Sequence, residues 1–199
     1  CYGPRGYGNG HRIAGGSRIV TFTASSGDHM FGTLTLTKDG PAGLSTDLTF
    51  PDEMAVLRYD RTATICELGK FAFDPSPDSR PFLASLFHVV YLYGTEHFGG
   101  TDLVIEVNPR HVLFYRVMLG FTKIGALKTN DAVGAPSQLM HIKVAEIGRR
   151  IAACGGKLGR LNRSLYPYFF SKIEEDGLRD RIKQLPKMEP DAPQHEYAA

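Results

Sequence analysis

The chain has no tryptophan, and its three cysteines, Cys1, Cys66 and Cys154, are few, odd in number and far apart. That scarcity excludes a disulfide framework and points to a reducing, cytoplasmic compartment. No apolar run approaches the roughly 20 residues that cross a bilayer, so no transmembrane segment is expected. No signal-peptide pattern opens the chain, and a first residue that is Cys1 rather than Met allows for an upstream piece. A formal net charge of +2 gives no global attraction to polyanions, so no nucleic-acid partner is expected and any basic patch must be local. Gly-x-Gly-x-x-Gly and Walker-type loops are missing, which removes the commonest nucleotide cradles. The seven histidines are scattered, and neither Cys66 nor Cys154 has a His or Cys at ligand spacing, so no metal site is expected.

What remains is a chain of 199 residues with a 42% hydrophobic fraction, enough for one domain, or one domain with an appendage. Residues 1 to 17 are Gly-rich and are expected to be a flexible segment. Arg18 to Ala24 and Met30 to Thr37 alternate β-branched and aromatic residues around a turn-like Ser25-Ser26-Gly27-Asp28, which predicts a hairpin. Pro51 to Asp60 predicts a short helix with acids in its first turn. Pro81 to His97 is apolar almost all round, as a buried helix is, with Ser79 placed to cap it. Two more strands are predicted at 121–126 and 137–145. Strands interleaved with helices imply an α/β fold with a mixed, partly parallel sheet flanked by helices. The expected organisation is a core over 18–145, a C-terminal helical extension over 146–185 packed on it, and a loose tail over 186–199.

Ala63 to Phe73 reads as a strand whose odd positions, Ala63, Ile65, Glu67, Gly69, Phe71 and Phe73, form an apolar face broken by one carboxylate. A lone carboxylate there is costly unless paired or protonated, which makes Glu67 either an ion-pair partner or a functional group. Gly69 removes bulk from the same face, as a bulge or a ligand-facing strand would need. Cys66 falls on the other face, which argues against a cysteine nucleophile working beside Glu67.

The stretch Thr101 to Phe121 organises the rest. Leu103, Ile105 and Val107 alternate against Val104 as a buried strand. Asn108 then caps a helix with Pro109 at its first position, and Gly120 ends it. Such a turn aims the backbone donors from Asn108 to His111 off the end of the strand.

The segment Asn108-Pro109-Arg110-His111-x-x-Phe114-Tyr115, followed by Leu119-Gly120-Phe121, resembles the fifth strand and fourth helix of the GNAT acyltransferase superfamily. Glu67-Leu68-Gly69-Lys70-Phe71 resembles a Glu-Leu-Gly-Arg-Phe segment of acyl-homoserine-lactone synthases. Together with Tyr-Pro-Tyr-Phe-Phe at Tyr166 to Phe170, the pattern is most similar to N-acyl amino acid synthases of the FeeM type, over roughly residues 18 to 170. The Tyr-to-Gly spacing is one residue longer than in most superfamily members.

The resemblance implies an acyltransferase that joins a long-chain acyl group from an acyl carrier protein thioester to the α-amine of an amino acid, tyrosine being expected. It implies a catalytic pair, Glu67 as base and Tyr115 as proton donor to the leaving thiolate. Asn108 would hold the donor's pantetheine, with Gly69 beside the thioester, and His111, a surface or stacking residue rather than a base, would join the substrate-binding set. Phe71, Phe73, Phe82 and Leu86 would line the acyl channel. No permanently bound cofactor is implied, only the phosphopantetheine of the carrier. Where the superfamily carries a Gly-rich pyrophosphate loop, this chain has Asp74-Pro75-Ser76-Pro77-Asp78-Ser79-Arg80, with no Gly and two prolines that cannot donate. That departure favours a donor with a single phosphate over coenzyme A. From Ile147 to Ser164 there are five cations, Arg149, Arg150, Lys157, Arg160 and Arg163, and no acid, a candidate dock for an acidic carrier protein. Three other functions fit parts of the pattern: an acyl-homoserine-lactone synthase using S-adenosylmethionine, a coenzyme A-dependent acetyltransferase, and a non-catalytic carrier-binding module.

Overall fold

The computed structural model describes residues 11–26, 29–74, 79–158 and 163–186. Seven strands build one mixed sheet: β1 (His11–Gly15), β2 (Ile19–Ser26), β3 (His29–Lys38), β4 (Ile65–Phe73), β5 (Asp102–Val107), β6 (Thr122–Asn130) and β7 (Ala135–Lys143). The spatial order is β1-β2-β3-β4-β5-β7-β6, and β4 with β5 is the parallel pair. The mixed, partly parallel sheet is therefore as the interleaved pattern predicts. Five α-helices flank it: α1 (Pro51–Tyr59), α2 (Arg80–Tyr93), α3 (Val112–Phe114), α4 (Val144–Cys154) and α5 (Lys172–Lys183). Among the described residues no helix is long and apolar enough to cross a membrane.

The sheet's two faces bury different clusters. On one, α1 brings Met54, with Phe50 at its N-cap, against Ile65, Val104 and Leu139. On the other, α2 presents Leu83, Leu86, Phe87 and Val90 to Phe22, Leu36, Leu68, Leu103 and Ile105. Leu103, Ile105 and Val107 thus point away from Val104, as their alternation requires. Each such side chain, fully buried, contributes about 1.5–3 kcal/mol.

Two predicted elements differ. The segment taken as loose at 1–17 contains β1, whose residues pair antiparallel with β2 from Gly15↔Val20 to His11↔Ala24. Free backbone donors and acceptors on the edge of β2 recruit it, a driving force that composition does not display. The helix after Asn108 is composite: a 3-10 turn over Pro109–His111, one α turn over Val112–Phe114, and a π turn over Tyr115–Leu119. A π turn absorbs one extra residue, which accounts for the long Tyr115-to-Gly120 spacing. Gly120 follows with φ 85°, the left-handed stop its position predicts.

The C-terminal segment packs on the core. The Tyr166 hydroxyl donates to the Leu119 carbonyl at 2.7 Å, and Leu165 N–H to that of Met118 at 3.0 Å. His88, fully buried on α2, accepts from Phe170 N–H through Nδ1 at 3.0 Å, and its Nε2 faces Glu175 of α5 at 3.5 Å. Arg179 ties Glu175 to Glu96. Within the helical extension expected over 146–185, the last helix starts only at Lys172, because the Tyr166–Tyr168 turn carries Pro167 and docks on the core instead of coiling on.

Candidate active site

The site follows from the way β4 and β5 separate. Their parallel register runs from Ile65↔Asp102 to Leu68↔Ile105 and then stops, although β4 continues to Phe73 and β5 to Val107. The cause lies in β4. Thr35 pairs with Gly69 and Thr33 with Ala72, so a single β3 residue, Leu34, stands opposite Lys70 and Phe71. This is a β-bulge, and Lys70 adopts φ 47°, the positive φ of a non-glycine residue among those described. A left-handed lysine costs about 1–2 kcal/mol, and such outliers gather at functional sites.

The bulge also corrects the face assignment. Strict alternation places Phe71 and Phe73 with Glu67. The extra residue shifts the phase, so both rings pack on the cluster that holds Cys66 and Leu68, while Ile65 stays on the opposite side. Glu67 is thus separated from the aromatic residues it was expected to accompany.

Where the strands part, a cleft of about 730 Å³ opens. Leu68, Ile105 and Val107 line it from one side of the sheet, Gly69 and Glu106 from the other, and Asn108, His111, Phe114 and Tyr115 close one end. Phe71, Phe73, Ser79, Arg80 and Leu83 complete the wall. Of the residues expected at the site, the fold therefore gathers Tyr115, Gly69, Phe71, Phe73, Asn108 and His111. It leaves out Phe82, whose ring stacks on Phe31 at 3.9 Å, and Leu86, which is wholly buried. Ser79, Arg80 and Leu83 belong to the start and first turn of α2, which border the cleft, while Leu86 lies about one turn further along the same face, inside the core.

Glu67 is 5% exposed and is not on the cleft wall. Its partner is neither Arg nor Lys: Ser45 donates to it through its backbone N–H at 2.8 Å and through its hydroxyl. Burial raises its pKa above the ordinary carboxylate value, and the nearby Glu106 charge adds to the rise. Glu106 is the residue that sequence reasoning missed. It half-emerges into the cleft, and its Oε1 accepts from Asn130 Nδ2 at 2.7 Å. The rule that singled out Glu67, a lone acid on an apolar strand face, passes over Glu106 because Asp102 shares its face of β5.

Tyr115 is 5% exposed, and burial pushes its phenol up to about 12. It stays protonated at working pH and keeps its hydroxyl free of protein hydrogen-bond partners among the described residues. The backbone donors expected to point off β5 are used locally instead. Arg110 N–H donates to Asn108 Oδ1 at 3.2 Å and His111 N–H to the Asn108 carbonyl at 2.9 Å. The Asn108 side-chain NH₂ has no partner among the described residues. His111 is exposed and accepts from Arg110 Nε at 3.0 Å.

The five-cation stretch is less uniform than its sequence. Arg149 and Arg150 both pair with Glu146, one turn earlier on α4. Arg150 also lies over the Tyr166 ring at 5.8 Å, which makes it part of the fold. Lys157 bonds the Ala153 carbonyl at 3.0 Å, Arg163 is exposed, and Arg160 lies outside the described residues, as do residues 75–78 of the loop expected to reject pyrophosphate. Burial raises the Cys66 thiol to about 12 and its side chain faces the α2 side, so it is no nucleophile beside Glu67. Among the described residues no group of three or more His, Cys, Asp or Glu is placed to hold a metal ion.

Comparison with the curated proteins found no match. Among solved structures, the chain is similar to FeeM, an N-acyl amino acid synthase from uncultured soil microbes, with 34% identity, a TM-score of 0.58 and coverage of 65% of this chain and 71% of that one. It also aligns with an aminoglycoside N(6')acetyltransferase from Legionella pneumophila at 13% identity and a TM-score of 0.44, covering 66% and 67% of the two chains. A coenzyme A-dependent acyl-homoserine lactone synthase, BjaI, aligns at 13% identity with a TM-score of 0.42, covering 89% and 71%. The profile of the family described as N-acyl amino acid synthase FeeM matches residues 1–143. The chain is an acyltransferase that belongs to that family of N-acyl amino acid synthases.

Proposed function

We propose that this synthase takes a long-chain acyl group from the phosphopantetheine thioester of an acyl carrier protein and joins it to the α-amine of an amino acid, tyrosine in particular. The observation that carries the reading is the cleft at the parting of β4 and β5. It holds a protonated phenol, Tyr115, a side-chain amide, Asn108, and an apolar wall of Phe71, Phe73, Leu83 and Phe114.

An extended pantetheine arm would enter past Asn108, whose free NH₂ suits the arm's amide carbonyls. The thioester would sit at the bulge, where Lys70 and Phe71 have no ladder partner on either neighbouring strand. A backbone N–H there would polarise the carbonyl. The thiolate expelled by the amine would receive a hydrogen bond, and then a proton, from Tyr115. The acyl chain would lie along the aromatic wall toward Leu68. Behind Leu68 an internal apolar cavity of about 40 Å³, bounded by Phe87, Leu103, Tyr166 and Phe169, offers further space. Each methylene removed from water there adds about 0.8 kcal/mol of binding. Lys70 and Arg80 at the mouth suit one phosphate.

The test supplies the same acyl chain on an acyl carrier protein and on coenzyme A, with each amino acid in turn, and identifies products by mass. An N-acyl amino acid formed with higher kcat/KM from the carrier, and best with tyrosine, is the expected result. Equal or better use of coenzyme A would remove the carrier from the reading, and a lactone product from S-adenosylmethionine would replace it.

A further inference from the structure

Glu106 stands at the point where the two parallel strands separate. Continuing the β4–β5 register one step past Leu68↔Ile105 would bring Gly69 beside Glu106. Gly69 contributes no side chain, and a Cβ built on it would meet nothing within 4 Å. The cleft therefore has an open space between a bare stretch of backbone and a carboxylate. Asn130, reaching from β6, holds Glu106 Oε1 at 2.7 Å, and Oε2 has no partner among the described residues. By contrast, both oxygens of Glu67 are taken up by Ser45 behind the cleft wall.

We infer that Glu106, rather than Glu67, receives the α-ammonium of the acceptor amino acid and takes its proton. The inference rests on the N-acyl amino acid reading above. In the step, the ammonium gives one proton to the Glu106 carboxylate. The nitrogen lone pair so freed forms the bond to the thioester carbonyl carbon. The C–S bond breaks, its electron pair leaves with sulfur, and the Tyr115 phenol protonates the thiolate. The second N–H proton lost from the attacking nitrogen returns to the Tyr115 phenolate. Glu106 releases its proton to water, so the net change is amide, thiol and one proton. Asn130 positions the carboxylate, and Glu67, buried behind it, packs the floor.

The experiment compares the parent chain, Glu106→Gln, Glu106→Asp and Gly69→Val, with the acyl donor saturating and tyrosine varied. Gln keeps an oxygen for Asn130, so the fold is retained, and unchanged melting verifies this. Glu106→Gln is expected to raise KM for the amino acid about tenfold or more and to lower kcat about 100-fold, leaving KM for the acyl donor near its parent value. Glu106→Asp should recover part of both losses. Gly69→Val, which fills the open space and leaves the carboxylate intact, should raise the amino acid KM alone. If Glu106→Gln keeps the parent's kcat and amino acid KM, the inference is overturned while the N-acyl amino acid reading stands. A parent that makes no N-acyl amino acid overturns the reading itself.

Discussion

Replacing Tyr115 with Phe separates what this residue does for the fold from what it does for the reaction. The ring is 5% exposed and packs edge-on to Phe114 at 5.2 Å and Phe121 at 6.0 Å, contacts that Phe retains. Its hydroxyl lies on the cleft and gives up no protein hydrogen bond, so none of the usual costs of a buried polar deletion applies. Stability should stay within about 0.5 kcal/mol of the parent. The chemistry should not survive as well. A positioned general acid accounts for about 10²–10⁴ in rate, or roughly 2.7–5.4 kcal/mol at 1.36 kcal/mol per tenfold. Steady-state kcat with a pantetheine thioester should therefore fall at least about 100-fold, with KM for the donor little changed. Because burial pushes the phenol up to about 12, the parent-to-variant ratio should be flat from about pH 6 to 10. A thioester with a far more acidic aryl thiol needs less protonation and should narrow the gap. A variant with parent kcat, or an equal loss with both leaving groups, would refute the assignment of Tyr115 as the proton donor.

Two further outcomes follow from the geometry. Gly120→Ala should destabilise the protein by about 1–2 kcal/mol or more, since φ is 85° and a Cβ would run into the Arg150 guanidinium; unchanged melting would contradict this. For carrier docking, Lys157→Glu with Arg163→Glu is a better test than reversing Arg149 and Arg150, which also breaks their pairs with Glu146. The double reversal should raise KM for the carrier and weaken its salt dependence, leave kcat near the parent value, and spare a small pantetheine thioester. An unaltered carrier KM would show that this face is not the dock.

Charge patterns in the sequence needed three dimensions to be weighed. The run from Arg149 to Arg163 has no acid within it, yet Glu146 lies one helical turn before it and neutralises part of it. Likewise Glu67 attracts attention as a lone acid, while its actual partner, Ser45, comes from a turn 22 positions away. A linear reading cannot rank Glu67 and Glu106, because their exposure depends on which neighbours cover them.

By itself the sequence determined most of the local structure. Alternation in Leu103, Ile105 and Val107 specified a buried strand, the Asn108-Pro109 pair specified where the next helix begins, and Gly120 specified where it ends, because each depends on neighbouring residues alone. The motif around Tyr115, read through its family resemblance, marked residues that the fold brings to the cleft. Tertiary structure decided the rest. Gly69 allows a bulge or a ligand-facing strand in ICELGKFAF without choosing between them or naming Lys70, since the bulge forms because β4 pairs with β3 on one side and leaves β5 on the other. That one extra residue moved Phe71 and Phe73 to the opposite face from Glu67, opened the cleft, and left Glu106 as the carboxylate on its wall. The period of a strand is a local property, but its phase across a bulge is set by the partners on either side.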